Sequence, residues 1–136
     1  MSLREEERYV LATLQLEKVT KMLAELDVQL QNGLWSLAAN RLYYALFHAV
    51  YALLITDKHE VGTHRGAVHK FSLFYVKQGI FTIAEGKIYS QLQQLREDGD
   101  YNCSIDIDQN DVERLIEPTR QLIEKIQNYI AEKNHK

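Results

Sequence analysis

Residues 34–56 read LWSLAANRLYYALFHAVYALLIT, and this stretch decides the fold. It is apolar on most faces, and Arg41 and His48 are its only basic side chains. A segment of this kind is either a buried central helix or a membrane span. Asn40, Arg41 and His48 lie near its middle, where a hydrocarbon environment would penalise them. We therefore predict a buried helix and no association with a membrane.

Four further helices are predicted around this segment from apolar residues that recur at spacings of three and four. They span 4–31, His64–Lys77, Ala84 to about Gly99, and a last stretch that begins near Asn110. Asn32-Gly33 and Gln78-Gly79 are typical helix stops, and Thr63 is a typical N-cap. Asp108 or Asn110 can cap the last helix. Pro118 lies inside that helix and predicts either a kink or a later start.

The composition agrees with long helices. The chain has 136 residues, of which only 1 is Pro and 6 are Gly, so few residues favour turns. Short connections between long helices make neighbours antiparallel. We predict an all-α fold, a five-helix up-and-down bundle, in which residues 1–136 form one domain.

Charge and cysteine content limit the partners that the chain can take. The net charge is −3, from 16 basic and 19 acidic residues, so RNA would need a local basic pocket. Cys103 is the only cysteine, which excludes an internal disulfide. No apolar run follows a basic start at the N-terminus, so we expect no signal peptide and a cytoplasmic location.

The first candidate site lies on the central helix. Arg41, Tyr44, His48 and Tyr51 recur at spacings of three and four and so share one helix face. Arginine offers a forked donor that suits phosphate, and histidine exchanges protons near neutral pH. These are the groups that phosphodiester chemistry needs. The alternative is structural: Arg41 pairs with a carboxylate, and the tyrosines are core aromatics.

The second candidate site is Arg96-Glu-Asp-Gly-Asp100-Tyr101, at the end of the fourth helix. Arg96 and Asp100 are four residues apart and share a face, and Tyr101 follows where the helix ends. The alternative is an ordinary ion pair beside a loop tyrosine, which would contribute about 0.3–0.5 kcal/mol.

Three histidines near the third helix do not predict a metal site. His59, His64 and His69 are spaced by five, whereas helical metal ligands prefer three or four. We therefore expect no metal and no cofactor, and we place His64 in the first turn of the third helix.

In this order, the motifs resemble the HEPN family. The matching stretches are 39–49 (ANRLYYALFHA), Thr63–Gly66, 71–79 and 95–101 (LREDGDY), and the resemblance extends over roughly residues 8–130. It implies a five-helix bundle that is often a homodimer. Many such domains work with a minimal nucleotidyltransferase in a toxin–antitoxin pair. Others are metal-independent endoribonucleases with an Arg, four to six residues and a His.

The endoribonuclease motif is only partly matched. Arg41 and His48 have the required spacing, but in nuclease-type members the motif lies late in the chain. At that place this sequence has Arg96 and, after four residues, Tyr101 instead of His. A phenol with an ordinary pKa near 10 is a poor general base at neutral pH.

The resemblance therefore implies a protein that binds nucleotide or RNA and acts with a nucleotidyltransferase partner in a toxin–antitoxin or defence pair. We expect Arg41, Tyr44, His48 and His64 to bind the ligand, and Arg96, Asp100 and Tyr101 to form the candidate catalytic group. Tyr101 is also the hydroxyl that we expect a nucleotidyltransferase to modify. The alternatives are a metal-independent toxin endoribonuclease and a purely structural interaction domain.

Overall fold

The computed structural model describes residues 4–101 and 107–134, apart from the side chain of Tyr101. These residues contain five α-helices and no strand: α1 (Glu5–Gln31), α2 (Trp35–Thr56), α3 (His64–Phe71), α4 (Ile83–Tyr101) and α5 (Gln109–Asn134). The predicted all-α bundle of five helices is confirmed.

The central helix of the bundle is α2, which packs against α1, α4 and α5. Leu42, Leu54 and Ile55 are buried on three different sides of it. Because neighbouring helices cover α2 on almost all sides, its mostly apolar surface is buried in contacts within the protein. Across the two described segments, no helix has both the length and the apolar composition needed to cross a bilayer.

The contacts between α1 and α2 show that they are antiparallel. Gln15 meets His48, whereas Glu25, farther along α1, meets Arg41, which lies earlier in α2. This arrangement places α1 beside the polar face of α2.

Side-chain caps fix two of the helix starts. The Thr63 hydroxyl accepts a hydrogen bond from the Gly66 amide at 2.9 Å, so the predicted N-cap of α3 is confirmed. At the start of α5, the Asp108 carboxylate accepts from the Asp111 amide at 3.0 Å. The cap is therefore Asp108 and not Asn110. Because α5 runs from Gln109 through Pro118, the alternative of a later start is wrong.

The third helix differs from the prediction at its C-terminal end. The sequence predicts one helix over His64–Lys77, but the α-helix ends at Phe71 and a π-helical turn, Ser72–Val76, follows. Tyr75 on this turn is buried and donates to Asp57 at 2.7 Å. Apolar spacing alone does not distinguish an α-helix from one π-helical turn, since both bury one side of the helix.

Candidate functional site

The two basic residues of α2 each have a partner on α1. The Arg41 guanidinium lies 3.1 Å from Glu25 Oε2 and 3.0 Å from Asn40 Oδ1. His48 Nδ1 lies 2.7 Å from Gln15 Oε1. The structural alternative predicted that Arg41 pairs with a carboxylate, and Glu25 is that carboxylate. The ion pair is nevertheless only partly buried, with 29% of the Arg41 side chain exposed.

Arg96 of α4 reaches the same face of α2. Its guanidinium carbon lies 5.2 Å from the centroid of the Tyr43 ring and 5.4 Å from that of Tyr44. Its Nε also forms an ion pair with Asp100 Oδ2 at 3.4 Å. Only 14% of the Arg96 side chain is exposed, so the aromatic rings and the ion pair hold this cation in one place.

His64 enters from the first turn of α3. Its ring stacks on Phe47 with centroids 4.1 Å apart and an interplanar angle of 22°. Its Nδ1 lies 3.1 Å from the Tyr43 hydroxyl. The N-cap at Thr63 fixes the start of the helix, and the two contacts fix the ring against α2.

Tyr44 connects most of the predicted site residues. Its ring lies within 6.3 Å of the His48 ring and 5.5 Å of the His64 ring, measured between centroids. The Arg41 and Arg96 guanidinium carbons lie 6.0 Å and 5.4 Å from the same centroid. We call these five residues the Tyr44 cluster: Arg41, Tyr44, His48, His64 and Arg96.

The remaining predicted residues stand at the edge of this cluster. Asp100 joins it through its ion pair with Arg96. Tyr101 is the last residue of α4, and its side chain lies outside the described residues. Of the three histidines considered for metal, His59 stacks on Phe74 instead of joining His64. No group of three His, Cys, Asp or Glu side chains is placed to hold a metal ion within the described parts of the chain.

A depression of about 420 Å³ opens beside the cluster. It is lined by Thr63, His64, Arg65, Gln93, Arg96 and Glu97. Another cavity, of about 360 Å³, lies where α1 begins and α5 ends, and none of the predicted site residues lines it. The first depression therefore contains two of the predicted site residues, His64 and Arg96.

Burial sets the charge state of the cluster. It lowers the pKa of His48 to about 4, with smaller contributions from Lys18, His64 and Arg41. Burial, followed by the charge of Arg96, also lowers the pKa of His64. Near neutral pH the cluster thus combines two guanidinium cations with two uncharged imidazoles. Both guanidinium groups are paired with carboxylates, Arg41 with Glu25 and Arg96 with Asp100. Each neutral imidazole offers one donor and one acceptor.

The sequence profile of the HEPN domain matches residues 12–129, which include both candidate motifs. The chain belongs to the HEPN domain family. The HEPN chain is similar to the UPF0332 protein of Thermotoga maritima, with 28% identity over 115 residues that cover 85% of this chain and 87% of that protein.

Two proteins of Methanocaldococcus jannaschii are also similar to this HEPN chain. One, named “Putative toxin MJ0142”, is 24% identical over 119 residues, which cover 88% of this chain and 81% of that protein. The other, named “Putative toxin MJ0605”, is 26% identical over 117 residues, which cover 86% of this chain and 87% of that protein. Toxin-like HEPN proteins are thus among its relatives.

Sequence reasoning missed three residues that complete the site of this HEPN domain. Gln15 holds His48, Tyr43 holds His64, and Gln93 lines the depression. The Gln93 amide nitrogen is buried and has no hydrogen-bond partner among the described residues. A glutamine at an apolar position of the α1 stripe could have signalled Gln15. Tyr43 and Gln93 carried no comparable signal.

The stability of the HEPN domain should depend on pH through His48. Since burial lowers its pKa from 6.5 to about 4, the unfolded chain gains this proton first as the pH falls. The contribution of neutral, buried His48 to the stability of the folded state is therefore fully present above pH 6.5, and it is lost as the pH falls towards about 4. We expect His48→Gln to unfold with a weaker pH dependence over this range, as measured by urea titration at several pH values.

His69→Gln is the matched control, since His69 is an exposed histidine on the neighbouring helix. It should keep the wild-type pH dependence. An identical slope for His48→Gln and the wild type would contradict the neutral, buried state of His48.

Proposed function

We propose that this HEPN chain is the toxin component of a toxin–antitoxin or defence pair, binding RNA or nucleotide at the Tyr44 cluster and acting with a nucleotidyltransferase partner. The observation that carries the proposal is the position of Arg96. Its guanidinium is held over Tyr43 and Tyr44 at the edge of an open depression that His64 also lines.

The chemistry of this depression suits a phosphate group. An arginine held in place recognises phosphate oxygens through paired donors and loses little freedom on binding. Gln93 lines the same depression and carries a polar amide group. Because the whole chain carries a charge of −3, attraction for a nucleic acid arises locally, at this cluster.

The family and the names of its members support the proposed partner. Two relatives carry the word toxin in their names, and the motifs resemble HEPN domains that are paired with nucleotidyltransferases. We propose that residues 1–136 act as one domain and that the pair acts on RNA in the cytoplasm. No metal or other cofactor is required by this proposal.

The proposal is tested by titrating a fluorescent single-stranded hexaribonucleotide with the purified protein at several salt concentrations. Binding that weakens as salt increases supports a phosphate site. The absence of RNA binding in the wild type at low salt would overturn the proposal and favour a structural interaction domain.

A metal-independent endoribonuclease is the second candidate. The observation that favours it is geometric: the His48 ring and the Arg41 and Arg96 guanidinium groups all lie beside the Tyr44 ring, which brings an imidazole close to two cations. Incubating wild-type and Arg96→Ala proteins with total RNA in the presence of a chelator tests it. Fragments that appear only with the wild type would establish cleavage, and intact RNA in both would exclude it.

We also propose that the protein is a homodimer, formed through an exposed apolar face of α1. Leu11 and Leu14 are 36% and 47% exposed and follow one helical stripe with Glu7 and Lys21. If two copies pack their α1 helices antiparallel about Leu14, Glu7 of each copy lies opposite Lys21 of the other. The pairing buries leucines and brings opposite charges together.

We expect light scattering at micromolar concentration to give about twice the mass of one chain, which is 15.9 kDa. Leu14→Glu should shift the protein to the mass of a single chain, since it buries a carboxylate at the centre of the interface. Val28→Glu, at another exposed apolar position of α1, should remain dimeric. A single-chain mass for the wild type would contradict the homodimer.

Tyr101 is the proposed site of modification by the partner. It closes α4, five residues after Arg96, so a nucleotidyl group there would bring negative charge close to the phosphate-binding cation. The phenol oxygen attacks the α-phosphorus of a nucleoside triphosphate, pyrophosphate leaves, and the phenol proton passes to solvent. Modification would thereby silence RNA binding.

Co-expression with the cognate nucleotidyltransferase should increase the intact mass by one or more nucleotidyl groups. The increase should vanish in Tyr101→Phe and persist in Tyr9→Phe, in which an exposed tyrosine of α1 is replaced. An unchanged mass, or a nucleotide mapped to another residue, would disprove the role of Tyr101.

A further inference from the structure

The two histidines of the Tyr44 cluster are bound through the same ring nitrogen by chemically opposite partners. His48 Nδ1 lies 2.7 Å from Gln15 Oε1, a carbonyl oxygen, which only accepts hydrogen bonds. His48 Nδ1 therefore carries the hydrogen in the neutral ring, and its Nε2 keeps a lone pair. Gln15 is nearly buried, which keeps water from replacing this contact.

The partner of His64 is a phenol hydroxyl, which is able to donate a hydrogen bond. Its Nδ1 lies 3.1 Å from the Tyr43 hydroxyl, and the Tyr43 side chain is fully buried. Burial also raises the pKa of Tyr43 to about 12, so the phenol keeps its hydrogen. A buried phenol donates this hydrogen where an acceptor is available. His64 Nδ1 is then the acceptor, and the hydrogen of the ring resides on Nε2.

The two rings lie on one aromatic platform. The Phe47 ring is 5.2 Å from His48 and 4.1 Å from His64, between centroids, and Tyr44 also contacts both. Both histidines are partly exposed, and His64 lines the depression together with Arg96. Both imidazoles thus contact the Tyr44 ring, and the Arg96 guanidinium carbon lies 5.4 Å from the centroid of the same ring.

We propose that Gln15 and Tyr43 are positioning residues that hold His48 and His64 in opposite neutral tautomers, and that this pair selects ribonucleotides over deoxyribonucleotides. The ribose 2′-hydroxyl donates to His48 Nε2, while a phosphate oxygen accepts from His64 Nε2–H and from Arg96. The inference rests on the proposed function, since it takes the Tyr44 cluster as the RNA site.

The selectivity has a simple physical origin. The 2′-hydroxyl is the group that distinguishes RNA from DNA at a binding site. A deoxyribonucleotide leaves the His48 lone pair facing the ligand without a donor, and an unmade hydrogen bond at a desolvated group is unfavourable. The phosphate contacts are the same for both ligands, so Arg96 contributes to affinity but not to this discrimination.

The first test reads the tautomers directly by nitrogen NMR of ring-labelled histidine near neutral pH, which separates protonated from unprotonated ring nitrogens. We expect hydrogen on Nδ1 of His48 and on Nε2 of His64. Gln15→Met should release the His48 tautomer, and Gln31→Met should change nothing. A hydrogen on Nε2 of His48 in the wild type would overturn the inference.

Tyr43→Phe removes the donor to His64 and should alter only the His64 signals. Tyr9→Phe is its control, since Tyr9 is 55% exposed on α1. If Tyr43→Phe does not fold, the wild-type His64 spectrum still decides the matter: a hydrogen on Nδ1 would refute the role assigned to Tyr43.

The second test compares a single-stranded hexaribonucleotide with its deoxyribose counterpart. We expect the wild type to bind the ribonucleotide about 10-fold more tightly, the effect of one hydrogen bond left unmade. Gln15→Met should reduce this ratio to near unity with little change in binding of the deoxyribonucleotide. Gln31→Met should behave as the wild type.

The outcomes separate the inference from the proposed function. If both ligands bind equally to the wild type and Arg96→Ala weakens both, the function stands and the role of the tautomers is wrong. If neither ligand binds to the wild type, the proposed function itself fails.

Discussion

Replacing Arg96 by alanine should weaken binding of single-stranded RNA by about 10- to 100-fold, the effect of losing hydrogen bonds to a charged partner. The guanidinium is only 14% exposed and is held by two aromatic rings and by Asp100, so it is already arranged to meet a phosphate. Fluorescence anisotropy over a salt series measures the loss. The salt dependence should also become shallower, since one phosphate contact is removed.

Two further variants make this expectation specific. Arg96→Lys retains the charge but loses the fork and the contact with the rings, so its affinity should fall between those of the wild type and Arg96→Ala. Arg120→Ala also removes an arginine from an ion pair, here with Asp27, and should bind as the wild type. Equal affinities of Arg96→Ala and Arg120→Ala would contradict the placement of the RNA site at Arg96.

Replacing Asp57 by alanine should lower the free energy of unfolding by about 3 kcal/mol, because it strands buried donors. One oxygen of this carboxylate accepts from Tyr75 at 2.7 Å and from Tyr129 at 2.8 Å. The other lies 3.2 Å from Lys133, and only 12% of the Asp57 side chain is exposed. Asp57 therefore joins the end of α2 to the π-helical turn and to α5.

Urea denaturation monitored by circular dichroism measures this effect. Asp57→Asn keeps an accepting oxygen for the tyrosines and should lose clearly less stability than Asp57→Ala. Asp27→Ala is the matched surface control, since its carboxylate is 59% exposed, and should change stability by less than about 1 kcal/mol. Similar losses for Asp57→Ala and Asp27→Ala would disprove the structural role of Asp57.

The His48 titration and the Arg96 variants test different parts of the same site. His48 is held from α1 through Gln15, whereas Arg96 reaches Tyr44 from α4. RNA binding that depends on Arg96 but not on Gln15 would restrict the ligand to the α4 side of the cluster. Weaker RNA binding in variants at both Arg96 and Gln15 would indicate that the ligand spans the whole cluster.

The sequence by itself determined the five helices and several of their ends, although not the end of α3. Apolar residues at helical spacing predicted five helices, and Thr63 and Asp108 cap two of them through their own side chains. These features are local: a capping bond joins residues three apart, and a helical stripe is visible within a few turns. The sequence also identified α2 as the central helix, because a segment that is apolar on most faces must be covered on most sides.

Only the tertiary structure decided how the separate motifs meet. Arg41 and His48 share a helix, but Arg96 reaches Tyr44 across more than fifty positions of the chain, through the packing of α4 on α2. Gln15 and Tyr43 became visible only as partners of the histidines. Periodicity reports which face of a helix is buried but not which residue of another helix covers it. That choice depends on side-chain shapes and on the need to pair each buried polar group, both of which are properties of the assembled core.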